Sequence, residues 1–215
     1  MNRLIFIGEF MKLKHSIIFI ALLSTTTVAA TTPVGAKLAG ATETGTHKTN
    51  APETANNACK FDIKFASKPQ QKNQTIQASP TVSMDLTQFV AKQTKQGAVI
   101  ASNVTCQHLM GHSYTGSQQE WAGFIDSGIK GLIKAGVADI QFTKVGANDA
   151  AYKGTLDNME YMFTGDNGGN KQVIHNLAVL DKANNQVITL SVSGNEKVTQ
   201  EIKGEYQRLV NSFKP

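Results

Sequence analysis

The chain has 215 residues, 40% of them hydrophobic and 17% charged, with a formal net charge of +5 at pH 7. At roughly 100–200 residues per domain this allows one or two domains. The charges are scattered, with no run of five like charges and no lysine/arginine stripe interleaved with aromatics, so the footprint of a nucleic-acid binder is missing.

The first thirty residues read as a targeting segment. Lys12 and Lys14 give a basic start, Ile17 to Leu23 an apolar run, and Val28-Ala29-Ala30 small residues at the cleavage positions. This predicts a cleavable signal peptide over residues 1–30, with the functional start at Met11. The run is too short for a bilayer core, which needs roughly 20 apolar residues. Glu9, Lys12 and Lys14 separate it from the patch Leu4 to Ile7, against an uncleaved anchor. No cysteine follows the run, so no lipoprotein anchor is expected. Cleavage removes Arg3, Lys12 and Lys14 against Glu9, leaving 18 basic and 15 acidic side chains, a charge of +3. The expected product is exported, periplasmic or secreted, with no integral membrane span.

Residues 31–58 are rich in Thr, Ala, Gly, Pro and Asn, with Val34 and Leu38 as the large aliphatics. So little apolar surface does not offset conformational entropy, and a disordered Thr/Ala-rich tail is expected there. The two cysteines of the chain, Cys59 and Cys106, both follow the targeting segment. In an oxidising compartment such a pair reads as a disulfide, with two free buried thiols as the alternative. The bridge would close a loop of 47 residues, worth about 3–4 kcal/mol through chain entropy.

From Cys59 onward the patterning is that of one folded domain, 59–215. Phe61, Ile63 and Phe65 alternate with Asp62 and Lys64, predicting a half-buried strand ended at Lys68-Pro69. Val82, Met84 and Leu86 alternate next, running on through Phe89 and Val90. Thr94-Lys95-Gln96-Gly97 is a turn, and a strand from Ala98 toward Leu109 completes a long hairpin. Ser117-Gln118-Gln119-Glu120 is a capping box opening a helix. Its apolar face is Trp121, Phe124, Ile125, Ile129, Leu132 and Ile133, and Gly136 is its C-terminal stop. Gly123, Gly128 and Gly131 cost about 0.8–1 kcal/mol each relative to Ala in a helix, which points to close packing on a sheet.

Strands are expected around Ile140, Phe142 and Val145 and from Ala150 to Phe163. The turn-rich Gly165 to Asn170 follows, then a hairpin of Val173 to Leu180 and Val187 to Val192. A final helix from about Asn195 carries Val198, Ile202, Tyr206, Leu209, Val210 and Phe213 on one face. The expected fold class is α+β, an antiparallel sheet of about six or seven strands sandwiched by two main helices.

The order of elements over 59–215 resembles the PsbP/Mog1-type α/β/α sandwich. Exported bacterial members of that group often open with a strand reading roughly Phe-x-Val-x-Phe-Pro-x-Lys-Pro and close with a helix ending in Ser-Phe-Lys. Here the opening is Phe61-Asp62-Ile63-Lys64-Phe65-Ala66-Ser67-Lys68-Pro69, with Ala66 where Pro is common, and the closing is Val210-Asn211-Ser212-Phe213-Lys214. The resemblance implies a fold and, from its members, an accessory or binding role. It carries no catalytic residues across, and fold alone assigns no function.

Four constellations bear chemistry. In Cys106-Gln107-His108-Leu109-Met110-Gly111-His112, His108 and His112, completed by His175 if the fold brings it close, outline a soft-metal site. Cys106 is claimed by the disulfide, which leaves that site short of ligands. Gly111-His112-Ser113-Tyr114-Thr115-Gly116 superficially resembles a nucleophile elbow, but Thr115 stands where the last glycine is required. Asp157 and Glu160, three apart in a strand, fall on opposite faces and read as solvated charges, with Asp166 in the following turn. Asn148, Asp149, Tyr152, Tyr161, Tyr114 and Trp121 are the polar and aromatic candidates for a surface groove. Asn73-Gln74-Thr75 and Asn103-Val104-Thr105 match the glycosylation sequon, which a bacterial-type signal peptide makes irrelevant.

The sequence therefore points to a non-catalytic binding or accessory protein of the envelope. Its expected partner is an envelope or secreted protein, bound through a loop end or an exposed sheet surface around Tyr114, Asn148, Asp149 and Tyr152. No cofactor is expected. The alternative is a small-ligand or metal carrier using His108 and His112.

Overall fold

The computed structural model describes residues 59–215. The signal peptide and tail expected over residues 1–58 lie outside the described residues. Seven strands and two helices follow in the order β1 (Gln70–Gln77), β2 (Ser83–Lys95), β3 (Ala98–Met110), α1 (Gln118–Lys134), β4 (Ala138–Lys144), β5 (Asp157–Asn167), β6 (Asn170–Asp181), β7 (Gln186–Asn195) and α2 (Thr199–Ser212). A 3₁₀ turn, Glu196–Val198, leads into α2. The strands form one sheet in the order β1-β2-β3-β7-β6-β5-β4, with every neighbouring pair antiparallel. The α+β class with two main helices is as the patterning predicts.

Three expected elements are corrected. Phe61 to Phe65 is extended and keeps its alternation, but it stands outside the sheet. Asp62 and Lys214 exchange backbone hydrogen bonds of 2.9 Å, and Phe61 packs on Phe89 and Phe213. The segment is a strap over the α2 side of the sheet. Its place as first strand is taken by β1, Gln-Gln-Lys-Asn-Gln-Thr-Ile-Gln, an edge strand with a single apolar residue and therefore no readable period. The strand expected from Ala150 begins only at Asp157. The turn expected over Gly165 to Asn170 tightens to Gly168-Gly169, both at positive φ, as a two-residue hairpin loop of type I′ requires.

Helix α1 starts and stops as its sequence directs. The Ser117 hydroxyl accepts the Glu120 N–H at 3.3 Å, while the Glu120 carboxylate reaches past Ser117 to accept from the Gly116 and Thr115 N–H groups at 2.7 and 2.9 Å. The reciprocal half of the capping box is thus displaced upstream. Gly136 leaves α1 at φ +85°. Of the α1 glycines, Gly128 packs over the Phe163 ring, but at ordinary contact distance, and Gly123 faces open space. Close approach explains the first in part and the second not at all.

Cross-strand pairs fix which side chains share a face, because directly opposed residues point the same way. On one face lie Ile100, Val104 and Cys106 of β3, Ile188, Leu190 and Val192 of β7, and Val173, Leu177 and Val179 of β6. The expected apolar stripe of α2, Val198 to Phe213, covers them, joined by Phe61, Ile63 and Phe65 of the strap. The opposite face carries Tyr161 and Phe163 of β5 and Ile174 and Ala178 of β6 under α1. Ile133, expected on the buried stripe of α1, is exposed.

Candidate functional site

The histidines do not come together. His108 stands on the α2 side of β3, opposite Asp85 of β2 and Gln186 of β7. His175 shares that side but lies in the row of Ser102 and Val192, six residues from His108 along the strand direction. At about 3.3 Å per residue that is a separation of about 20 Å. His175 packs instead on the Tyr206 ring at 5.3 Å. Burial lowers its pKa, and Lys203 adds to this while Glu160 opposes it. His112 sits in the β3–α1 loop, where its carbonyl accepts from Asn185. Among the described residues no three His, Cys, Asp or Glu side chains gather closely enough for a metal ion.

His108 belongs to a polar row across five strands, Thr75, Asp85, His108, Gln186 and Asp181. Thr75 donates to Asp85 at 2.6 Å and Gln186 to Asp181 at 3.0 Å. Asp181 also accepts the Asn184 amide and N–H at 2.6 and 3.1 Å. The buried His108 Nδ1 has no hydrogen-bond partner among the described residues. Directly beside this row, Cys59 and Cys106 form the disulfide the sequence predicts, with Cα atoms 6.0 Å apart. It fastens the start of the strap to β3.

The strap is held further along by a buried carboxylate. Glu205 of α2 accepts from Ser102 at 2.9 Å and from Arg208 at 2.6 and 2.8 Å, and Arg208 also donates to the Lys64 carbonyl. Burial raises the Glu205 pKa, but Arg208 and Ser102 outweigh it, and the net direction is down.

Glu160 corrects an expectation. It does lie on the face opposite Asp157, but it is 4% exposed rather than solvated. Its oxygens accept the Tyr152 N–H at 2.6 Å, the Ala151 N–H at 3.0 Å and the Tyr206 hydroxyl at 2.9 Å. Three donors on one carboxylate offset its loss of water and pin the β4–β5 loop onto the α2 side. Tyr152, expected at the surface, is thereby buried against Phe213, and Tyr161 is buried under α1. Asn148 and Asp149 form an exposed turn. Tyr114 is half-buried in the β3–α1 loop, its N–H given to Asn185. Burial raises its hydroxyl pKa, with Glu120 adding to the effect. The loops of these four residues share one end of the sheet, but Tyr152 packs into the α2-side core while the loop of Tyr114 leads to α1. Ser113 is exposed in that loop.

Asn185, which sequence reasoning passed over, organises this end. At φ +50° its side chain donates to the Leu109 and His112 carbonyls at 2.6 and 2.8 Å and accepts from Tyr114 at 2.9 Å. Gly111 packs so tightly that a Cβ there would lie 1.9 Å from the Thr81 carbonyl oxygen.

The remaining surface is the α1-side face of β1, β2, β3 and β7. The α1 cluster draws its sheet residues from β4, β5 and β6 only. On the other half Gln70, Lys72 and Gln74 of β1 and Lys92 of β2 are exposed, while Gln88 of β2, Thr105 and Gln107 of β3 and Thr189 and Ser191 of β7 are buried beside the apolar Met84, Leu86 and Val187, with Asn103 and Ser193 between these extremes. Val99, 55% exposed, marks one end as open. Toward its middle the half-sheet holds buried polar groups. Gln107 and Thr189 are each 1% exposed, and the Gln107 Nε2 and Thr189 Oγ1 have no hydrogen-bond partner among the described residues. They are diagonal neighbours on adjacent strands, since Gln107 pairs with Val187. The signal was in the sequence as alternation: Asn103, Thr105 and Gln107 between Val104 and Cys106, and Thr189, Ser191 and Ser193 between Ile188, Leu190 and Val192.

Among the described residues no helix is long and apolar enough to cross a membrane. Compared with known proteins, the chain matches no family model and no curated protein sequence.

Proposed function

We propose that this chain is a non-catalytic, exported accessory module of PsbP/Mog1 type that binds an envelope component on the α1-side face of β1, β2, β3 and β7. The observation that carries the proposal is the half-sheet itself, which among the described residues lies outside the α1 cluster: Gln70, Lys72, Gln74 and Lys92 are exposed on its outer strands, and the buried Gln107 Nε2 and Thr189 Oγ1 further in have no hydrogen-bond partner. A buried polar group without a partner costs about 1–3 kcal/mol, a cost that asks for a reason in the fold or in what the fold binds. Export is supported by the disulfide, which persists in oxidising compartments. The separation of Ser113, Asp157 and Glu160 over a loop and two sheet faces supports a role without catalysis.

A photo-crosslinking residue placed at Gln74, on the open half, and separately at Lys203, on the outer surface of α2, tests this in cells. Adducts from Gln74 and none from Lys203 are expected. Equal adducts from both, or adducts from Lys203 alone, sink the proposal. A second reading, a metal carrier at His108 and His112, draws on the unpartnered His108 Nδ1. A zinc-induced rise in melting temperature that His108→Ala abolishes would favour it.

A further inference from the structure

We propose that the outer edge of β1 pairs antiparallel with the same edge of a second copy of this chain. β1 ends the sheet, and its ladder fixes which main-chain groups face outward. The Ala78 N–H donates to the Val82 carbonyl at 2.9 Å, in the same register as the β1–β2 pairs. Main-chain bonding alternates along an antiparallel pair, so Ile76, Gln74, Lys72 and Gln70 bond to β2. The N–H and C=O groups of Gln71, Asn73, Thr75 and Gln77 point away from the sheet, and all four residues are exposed.

The two edges of the sheet are built differently. β4 carries a register irregularity between Ala138 and Gln141 and holds Asp139 at φ +51°, devices that blunt an edge. β1 runs in unbroken register, with Pro69 before it and Pro80 after it rather than within it. Such an edge takes up another strand through main-chain hydrogen bonds, and its side chains select a copy of β1 itself. Five of its eight residues are amides, Gln70, Gln71, Asn73, Gln74 and Gln77. Each donates and accepts at once, so the strand complements its own sequence. Its one charge, Lys72, sets the register. With Gln71 opposite Gln77 of the second copy and Asn73 opposite its Thr75, every outward main-chain group is paired. The two Lys72 side chains then stand four residues apart, about 13 Å, beyond the screening length of about 8–10 Å. The alternative, Asn73 on Asn73, brings them to about 7 Å. A two-fold pairing uses up both open edges, and the blunted β4 edges stop the assembly at a dimer. One strand per copy is a small contact, so the association is weak and reversible.

Oxidative trapping of the mature protein tests the register. In this pairing Gln74 lies directly opposite Gln74 of the second copy, in a non-hydrogen-bonded pair with Cα atoms about 4.5 Å apart, a distance a disulfide spans. Gln74→Cys should therefore form a covalent dimer about tenfold faster than Lys72→Cys, which is exposed on the same face of the same strand but too far from its counterpart to be bridged. Sedimentation of the parent at rising concentration should show a monomer–dimer equilibrium. Asn73→Pro removes an N–H that no bond within the sheet uses and should abolish the dimer. Gln74→Lys sets two ammonium groups face to face at an exposed position, and should raise the dimer dissociation constant about fivefold with the far-ultraviolet spectrum unchanged. A parent that stays monomeric, equal trapping at positions 74 and 72, trapping at neither, or a dimer indifferent to Gln74→Lys would each overturn the inference. A self-adduct from the crosslinker at Gln74 has twice the mass of the chain, which tells it from a captured envelope component, so the dimer and the binding face are tested separately.

Discussion

Within β7 two adjacent residues live in different solvents. Leu190 points into the α2-side core among Val104, Leu177 and Leu209, all fully buried apolar side chains. Thr189 points the other way, between Thr105 of β3 and Ala178 of β6, where the polar half of the sheet meets the α1 cluster. One backbone thus supports two surfaces. The first is sealed by α2, the strap and the disulfide, and it holds the fold. The second has α1 over only part of its width, and its polar groups contribute little to stability. A sheet need bury only one face fully to be stable, which leaves the other free for recognition.

The sharpest way to break this division is to loosen the closed face. Replacing both cysteines, as Cys59→Ala with Cys106→Ala, should cost about 3–4 kcal/mol, measured by denaturant unfolding without reductant. A loss below 1 kcal/mol would mean that the strap holds without its staple. Asn185→Ala should cost about 2–3 kcal/mol, since three side-chain hydrogen bonds go and a left-handed backbone position is left to alanine. Asn185→Gly should recover part of that loss, which separates backbone strain from bonding. Glu120→Ala should cost about 1 kcal/mol through the α1 start.

The smallest effect is a pH dependence on the closed side. Because burial holds the His175 pKa below its ordinary value, the unfolded chain binds protons there more readily than the folded one. Its contribution is fully present above about pH 6.5 and is lost as pH falls through the lowered folded value. Glu205, whose pKa is also lowered, adds a loss further down, below the carboxylate range of the unfolded chain. His175→Gln should flatten the first limb and leave the second, as melting temperatures between about pH 2 and 8 would show.

Much of the closed face was legible in the sequence, because apolar periodicity reports burial. The α2 stripe, the alternation of β2 and β3, the α1 caps and the Cys59–Cys106 bridge follow from local pattern and chemistry. The strap was misplaced because alternation says that Phe61, Ile63 and Phe65 are buried on one side, not what they pair with. The edge strand β1 stayed invisible because Gln70–Gln77 offers almost no apolar signal. Glu160 and Tyr152 were read as surface groups because their burial depends on α2 and β5 meeting, a contact far apart in sequence. The polar half-sheet shows in the alternate positions of β3 and β7, but only register reveals that Asn103, Thr105, Gln107, Thr189 and Ser191 form one layer.

The division between the two faces is tested most directly by the unfolding free energies of Leu190→Ala and Thr189→Val, made at neighbouring positions of one strand. Leu190→Ala should lose about 2–5 kcal/mol. Thr189→Val, which replaces an unpartnered hydroxyl by a methyl group, should leave stability unchanged or raise it. A Thr189→Val loss as large as that of Leu190→Ala would show that the polar half-sheet holds the fold together, and would contradict its assignment as a binding surface.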